Sequence, residues 1–182
     1  MFKSRIQVII SYSKDKALIC QFDGPPTAIK RNVILLLLNL LILLTIFKQM
    51  KTVLFVCVEN TFRSQIAEAY FNKYAPNGWK AISAGIKPAD SVNPNAVRLM
   101  LEEGIDISHK KPQLLTREIQ EKANIAIIVC SGDQCPVVYA KYVEEWNIPD
   151  PAKMPIEEAR KIRDEIKKRV LELIEKIKRN QV

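Results

Sequence analysis

From residue 51 onward, short apolar runs alternate with stretches whose apolar residues recur every three or four positions. Few folds accept that rhythm. A first strand is predicted over Thr52–Val56 and a helix over Arg63–Tyr74, where Ile66, Ala67, Tyr70, Phe71 and Tyr74 share helical spacing. A second strand covers Lys80–Ser83 and ends at Gly85, and a loop follows over Pro88–Pro94. A helix over Asn95–Glu103 stops at Gly104, a residue type suited to the left-handed turn after a helix. Thr116 opens a short helix, and Ile125–Val129 is the most strand-like run in the chain. A last short strand is expected within Tyr142–Ile148. The final helix carries Ala159, Ile162, Ile166, Val170, Leu173 and Ile177 on one apolar stripe. Strands alternating with helices predict an α/β domain, a parallel sheet with helices on both faces. The functional site of such a sheet lies beyond the carboxyl ends of its strands.

Two cysteines fall at such ends. Cys57 closes the run Val53-Leu54-Phe55-Val56, and Arg63 and Ser64 follow where the next helix begins. The intervening loop, Val58-Glu59-Asn60-Thr61-Phe62, is long enough to curl around a tetrahedral oxyanion with its N–H groups inward and Arg63 closing the ring. Helix N-termini and N–H nests favour negative charge, so they bind phosphate-like anions and suit a cysteine nucleophile. The residues from Cys57 to Arg63 are therefore the candidate substrate-binding loop. Taken alone, a Cys-x5-Arg spacing is also compatible with a core cysteine and a surface arginine, and its placement between strand and helix favours the catalytic reading.

The second cysteine, Cys130, follows the third strand in Cys130-Ser131-Gly132-Asp133-Gln134-Cys135-Pro136. This pair can form a disulfide if the loop bends. Zinc is a rival use, but two more ligands would be needed and no second cysteine pair exists. Two unrelated core cysteines are the third reading. The irregular spacing of the four cysteines does not make a secreted disulfide framework, and in a reducing compartment close thiols point to catalysis or metal. The single histidine, His109, lies among Ser108, Lys110 and Lys111 and reads as an exposed loop residue, which removes the usual general base. Asp150, between Pro149 and Pro151, is either a turn residue or an acid presented near the strand ends.

Residues 1–50 form an extension unlike the domain expected over 51–182. Their seven lysines and arginines against two aspartates hold +5 of the net charge of +8, leaving +3 for the rest. That mild excess suits an anionic substrate and falls short of a nucleic-acid footprint. Residues 33–47 are fifteen apolar-rich residues broken by Asn39 and bracketed by Arg31 and Lys48. They are shorter than the roughly 17–25 residues of a membrane-spanning helix, and their position and flanks do not fit a signal peptide. Three readings stay open: a membrane-associating helix, a helix packed on the domain, or sequence upstream of a start at Met50.

With these residues in view, the chain resembles the low-molecular-weight tyrosine phosphatase superfamily, and within it the thioredoxin-coupled arsenate reductases. The resemblance spans about 51–179. It rests on Cys57-x5-Arg63-Ser64 with Gln65, Ala67 and Glu68, and on Ser83-Ala84-Gly85-Ile86. It rests further on Asn93-Pro94-Asn95-Ala96-Val97, Gly104-Ile105-Asp106-Ile107-Ser108, Cys130 with Cys135-Pro136, Asp150-Pro151-Ala152 and Arg163-Asp164-Glu165-Ile166. It implies a four-stranded parallel sheet flanked by helices. It also implies arsenate reduction in the cytoplasm, with Cys57 as nucleophile, Arg63 as oxyanion ligand, Ser64 as hydrogen-bond partner of the Cys57 sulfur and Asp150 as general acid. Cys130 and Cys135 would form the disulfide relay reset by external thioredoxin. No bound cofactor is implied beyond a potassium ion that some members hold near the loop with an Asn, a Glu and an Asp.

The chain departs from that pattern in places. Glu59 stands where the family usually has glycine, and a carboxylate there repels an anion unless it points away. Phe62 replaces a small residue or cysteine. Asn60 and Glu68 match two potassium ligands, but Gln113 replaces the aspartate. The main alternative activity is hydrolysis of phosphotyrosine or aryl phosphates through a cysteinyl-phosphate. It leaves Cys130 and Cys135 idle, and Asp150-Pro151-Ala152-Lys153 lacks aromatics to flank a phosphotyrosine ring. A non-catalytic anion-binding or redox-sensing module is the third class.

Overall fold

The computed structural model describes residues 5–13, 16–23, 37, 39, 50–130 and 138–182. It divides into two compact units, residues 1–48 and 49–182. In the first, β1 (Arg5–Ser13) and β2 (Lys16–Asp23) form an antiparallel hairpin in register from Arg5 opposite Asp23 to Ser11 opposite Ala17, with a bulge between Ser11 and Ser13. No element was expected here, although the β-branched residues of Ile6–Ile10 suit a strand. Except for Leu37 and Asn39, both helical, segment 33–47 lies outside the described residues. Among the described residues, no helix is long and apolar enough to cross a membrane.

The second unit is built on four parallel strands. In chain order its elements are β3 (Lys51–Cys57), α1 (Arg63–Tyr74), β4 (Trp79–Gly85), α2 (Pro94–Leu101), α3 (Arg117–Glu121), β5 (Ile125–Ile128), β6 (Tyr142–Glu145) and α4 (Ile156–Lys178). The strand order is β4-β3-β5-β6, all parallel. Central β3 has no solvent-exposed surface from Val53 to Val56, as a strand covered on both faces requires, whereas edge strand β6 alternates half-buried and exposed residues. Helix α1 packs on β3 and β4 and against α4, which also meets α2. Phe55 anchors this layer, its ring 6.1 Å from that of Phe71 and 5.8 Å from that of Trp146.

The expected stripe on α4 is largely buried: Ala159, Ile166, Val170, Leu173 and Ile177 face the core, with Ile174 added and Ile162 half-buried. Register then sets the site. Cys57 pairs with Gly85 at the end of β4, and Val56 pairs with Ile128 on β5. The Val129 N–H donates to Val56 C=O at 2.8 Å, so Cys130 lies one residue beyond the position opposite Cys57. Neighbouring strands lie about 4.8 Å apart, and the two thiol-bearing residues therefore leave adjacent strands side by side.

Candidate active site

The loop after Cys57 is held with its carbonyls turned outward. Val58 C=O accepts from Lys87 N–H at 2.9 Å, Glu59 C=O from Ala89 N–H at 3.1 Å and Thr61 C=O from Asn93 N–H at 3.0 Å. Asn60 C=O accepts from Gln65 Nε2 at 3.1 Å. Peptide planes anchored in this way leave their N–H groups facing the concave side, which is how a backbone nest for an anion is made. Asn60 allows the reversal by adopting a left-handed φ of 55°, a conformation Asn tolerates better than most residues. The loop ends at α1, whose N-cap is Phe62 and which has no side-chain cap. With no Ser, Thr or Asp acceptor there, the first N–H groups of the helix stay available to a bound anion.

Cys57 is 3% exposed at the base of this loop. Its sulfur accepts from Asn60 N–H at 3.2 Å and lies 3.0 Å from Ser64 Oγ. Asn60 is the hub of the surrounding network. Its Oδ1 accepts from the Gln113 backbone N–H at 2.9 Å and from Gln65 Nε2 at 3.2 Å. A backbone N–H can only donate, so the amide orientation is settled, and Nδ2 donates to Ser64 Oγ at 2.8 Å and to Ser83 Oγ at 2.9 Å. Ser64 Oγ thus accepts from Asn60 while lying within hydrogen-bond distance of the Cys57 sulfur. Ser83 Oγ in turn donates to Glu68 Oε2 at 2.6 Å, and Lys110 Nζ donates to Glu68 Oε1.

Arg63, 7% exposed, opens α1 directly after the loop. Its Nη1 donates to Ile148 C=O at 3.0 Å, and its Nη2 lies 3.5 Å from Asp150 Oδ1. Asp150 is exposed, and its Oδ1 also accepts from Ala152 N–H at 3.3 Å, the Asx turn expected between two prolines. One guanidinium thus ties the loop after Cys57 to the segment that carries Asp150.

Of the expected residues, Cys57, Asn60 and Ser64 meet in one hydrogen-bonded cluster, Arg63 reaches Asp150, and Cys130, 4% exposed, follows the adjacent strand β5. Cys135 lies outside the described residues, as does the rest of segment 131–137. Glu59 is exposed, while the Phe62 side chain is in the core at 2% exposure, leaving its backbone to face the loop. His109 is exposed. Sequence reasoning assigned no role to Ser83, Gln65, Lys110 or Gly85. The last is required by close approach, because a Cβ on Gly85 would fall 2.5 Å from Val58 O and 2.9 Å from Asn60 N. Ser83, Gln65 and Gly85 do lie in motifs already singled out, so the signal was present without its meaning.

Comparison with known proteins bears on this geometry. Residues 52–182 match the family model described as low molecular weight phosphotyrosine protein phosphatase. An arsenate reductase of Brevibacillus brevis is 41% identical over 128 residues, covering 69% of this chain and 95% of that protein. The thioredoxin-dependent arsenate reductase of Corynebacterium glutamicum superposes with a TM-score of 0.61 at 33% identity, covering 72% of this chain and 63% of the other. An arsenate reductase in its phosphate-binding state superposes with a TM-score of 0.64 at 32% identity, over 70% of this chain and 99% of the other.

Proposed function

Because the chain belongs to the low molecular weight phosphotyrosine protein phosphatase family, we propose that it reduces arsenate to arsenite with electrons from a thioredoxin-like dithiol. The observation that carries this reading is the meeting of a cysteine nucleophile and an anion nest at Cys57, with Cys130 leaving the neighbouring strand end. Arsenate docks against the loop N–H groups and Arg63, whose planar fork suits a tetrahedral oxyanion. The Cys57 thiolate attacks arsenic, forming an S–As bond while one arsenic oxygen departs as water with a proton from Asp150. The Cys130 thiolate then attacks the Cys57 sulfur. A disulfide forms, the S–As bond breaks with its electron pair going to arsenic, and arsenite leaves. Cys135 attacks Cys130, frees Cys57 and leaves a Cys130–Cys135 disulfide, which the external dithiol reduces by exchange. Such a cycle belongs in a reducing compartment, so the cytoplasm is the proposed place of action.

Hydrolysis of aryl phosphates is the second reading. It uses Cys57, Arg63 and Asp150 with water as the second nucleophile, and the Arg63–Asp150 pair serves it equally well. The full chain assayed with arsenate, thioredoxin, thioredoxin reductase and NADPH separates the two, as does parallel hydrolysis of p-nitrophenyl phosphate. Cys57→Ser is expected to abolish both activities. Cys130→Ser is expected to abolish reduction and spare hydrolysis. Loss of hydrolysis to the same extent in both variants contradicts the assigned roles, and absence of turnover leaves only the non-catalytic anion module.

A further inference from the structure

The potassium ion held by some members of the superfamily has no set of available ligands here. Both oxygens of Glu68 are engaged, Oε2 by Ser83 Oγ and Oε1 by the Lys110 ammonium. Asn60 Oδ1 already accepts two N–H groups, and Gln113 brings no charge, its Nε2 donating to Ser83 C=O at 2.7 Å. A further cation would sit beside an ammonium and compete for oxygens that already accept hydrogen bonds.

From this geometry we infer that Lys110 is a tethered cation that does the work of a bound ion, and that it is a positioning residue for Cys57 and the oxyanion loop. The inference rests on the reading of that loop as the substrate site. The path is continuous. Lys110 neutralises Glu68, their side chains being 19% and 16% exposed. Glu68 takes the Ser83 proton, which leaves the Ser83 oxygen to accept from Asn60 Nδ2. The same amide nitrogen donates to Ser64 Oγ, which faces the Cys57 sulfur. Without Lys110, the largely buried Glu68 carboxylate loses its counter-charge and sets a bare negative charge behind a loop that must receive an anion. Removing one partner of a buried pair is costly for that reason. An ion from solvent has to be bound on each occasion, whereas a lysine is present in every folded molecule. The charge therefore no longer depends on the salt around the protein.

The test uses the full chain and inorganic phosphate as probe, with affinity read by calorimetry and stability by thermal melting, in potassium chloride and in choline chloride at equal ionic strength. The wild-type protein is expected to give the same phosphate affinity and melting temperature in both salts. Lys110→Met is expected to bind phosphate at least tenfold more weakly in choline and to recover part of that loss in potassium. Lys110→Arg is expected to keep near wild-type affinity in either salt. In Lys110→Met/Glu68→Gln, where no unpaired carboxylate is left, the potassium response should vanish, and this variant serves if the single one does not fold. A wild-type protein that gains affinity specifically from potassium overturns the inference. So does a Lys110→Met protein that binds phosphate as wild type does in both salts, or a double variant that still gains phosphate affinity from potassium. A wild-type protein that binds no phosphate in either salt instead overturns the assignment of the loop, and this inference with it.

Discussion

Gly85 shows how much a single side chain can decide at this site. Its carbonyl and N–H are both used, the N–H donating to Gln113 C=O at 2.9 Å and the C=O accepting from Leu115 N–H at 2.8 Å. The residue therefore cannot retreat to make room for a Cβ. The clash would be with Val58 O, itself fixed by Lys87 N–H, so the backbone of the anion loop has to move. Gly85→Ala is expected to cost about 1–3 kcal/mol, the usual range for forcing an extra carbon into packed structure. It should weaken phosphate binding more than tenfold while leaving the circular dichroism spectrum unchanged. Calorimetric titration checks this, and an affinity equal to that of the parent would show that the loop does not need the close approach. Cys57 and Arg63 were singled out in the sequence because their pattern is one of local spacing, and Ser64 through the family resemblance. The roles of Gly85, Ser83 and Lys110 were not, because they arise where β4 and a later loop are brought against β3 by sheet register. No local spacing encodes that contact.

Elements were legible where periodicity was strong. Helix α1 has the expected bounds, and the strands differ from expectation by a few residues at their ends, where frayed hydrogen bonding makes limits soft. The hairpin of β1 and β2 was overlooked because no helix alternates with it, so the rhythm that marked the domain gives no signal there. The contact of α4 with the end of α2 was also hidden, since charged side chains make it and the apolar stripe of α4 does not report them. Arg163 is 5% exposed, and its Nη1 donates to Leu99 C=O and to Glu102 Oε2. Arg160 Nη2 donates to Glu102 Oε1 at 2.8 Å, and Lys167 Nζ to Glu103 Oε2 at 2.5 Å. The Arg160 hydrogen bond, ahead of other causes, lowers Glu102 from an ordinary value of 4.5 to about 2, and Lys167 likewise holds Glu103 below its usual range. Both carboxyls are depressed in the folded state. Their contribution is therefore present above the unfolded value and is lost as pH falls toward the folded one. Glu102→Gln is expected to melt below wild type at neutral pH, and the gap should close between about pH 4.5 and pH 2. Melting curves across that range decide it, since a gap independent of pH would mean that the ionic clamp contributes nothing.

At the scale of the whole molecule, the question is whether the catalytic unit carries its own core. The buried apolar side chains from Val53 to Ile177 form one core cluster within this unit. The four-stranded sheet takes no strand from the hairpin, which forms a separate two-stranded sheet. A chain of about 130 residues can bury roughly two-thirds of the surface it exposes when unfolded, enough for independent stability. The site obeys the same boundary, since its residues from Cys57 to Asp150 come from this unit. We therefore expect the fragment 51–182 to fold alone, to melt within about 4 °C of the full chain, a difference of about 1 kcal/mol for a domain of this size, and to keep the phosphate affinity of the full chain. An isolated hairpin of two strands is marginal in water, so the complementary fragment 1–50 should show little cooperative melting. Scanning calorimetry of the two fragments and the full chain tests both statements together. If 51–182 melts far below the full chain, or loses phosphate binding, the first fifty residues contribute to the core or to the site and the boundary at residue 50 is misplaced.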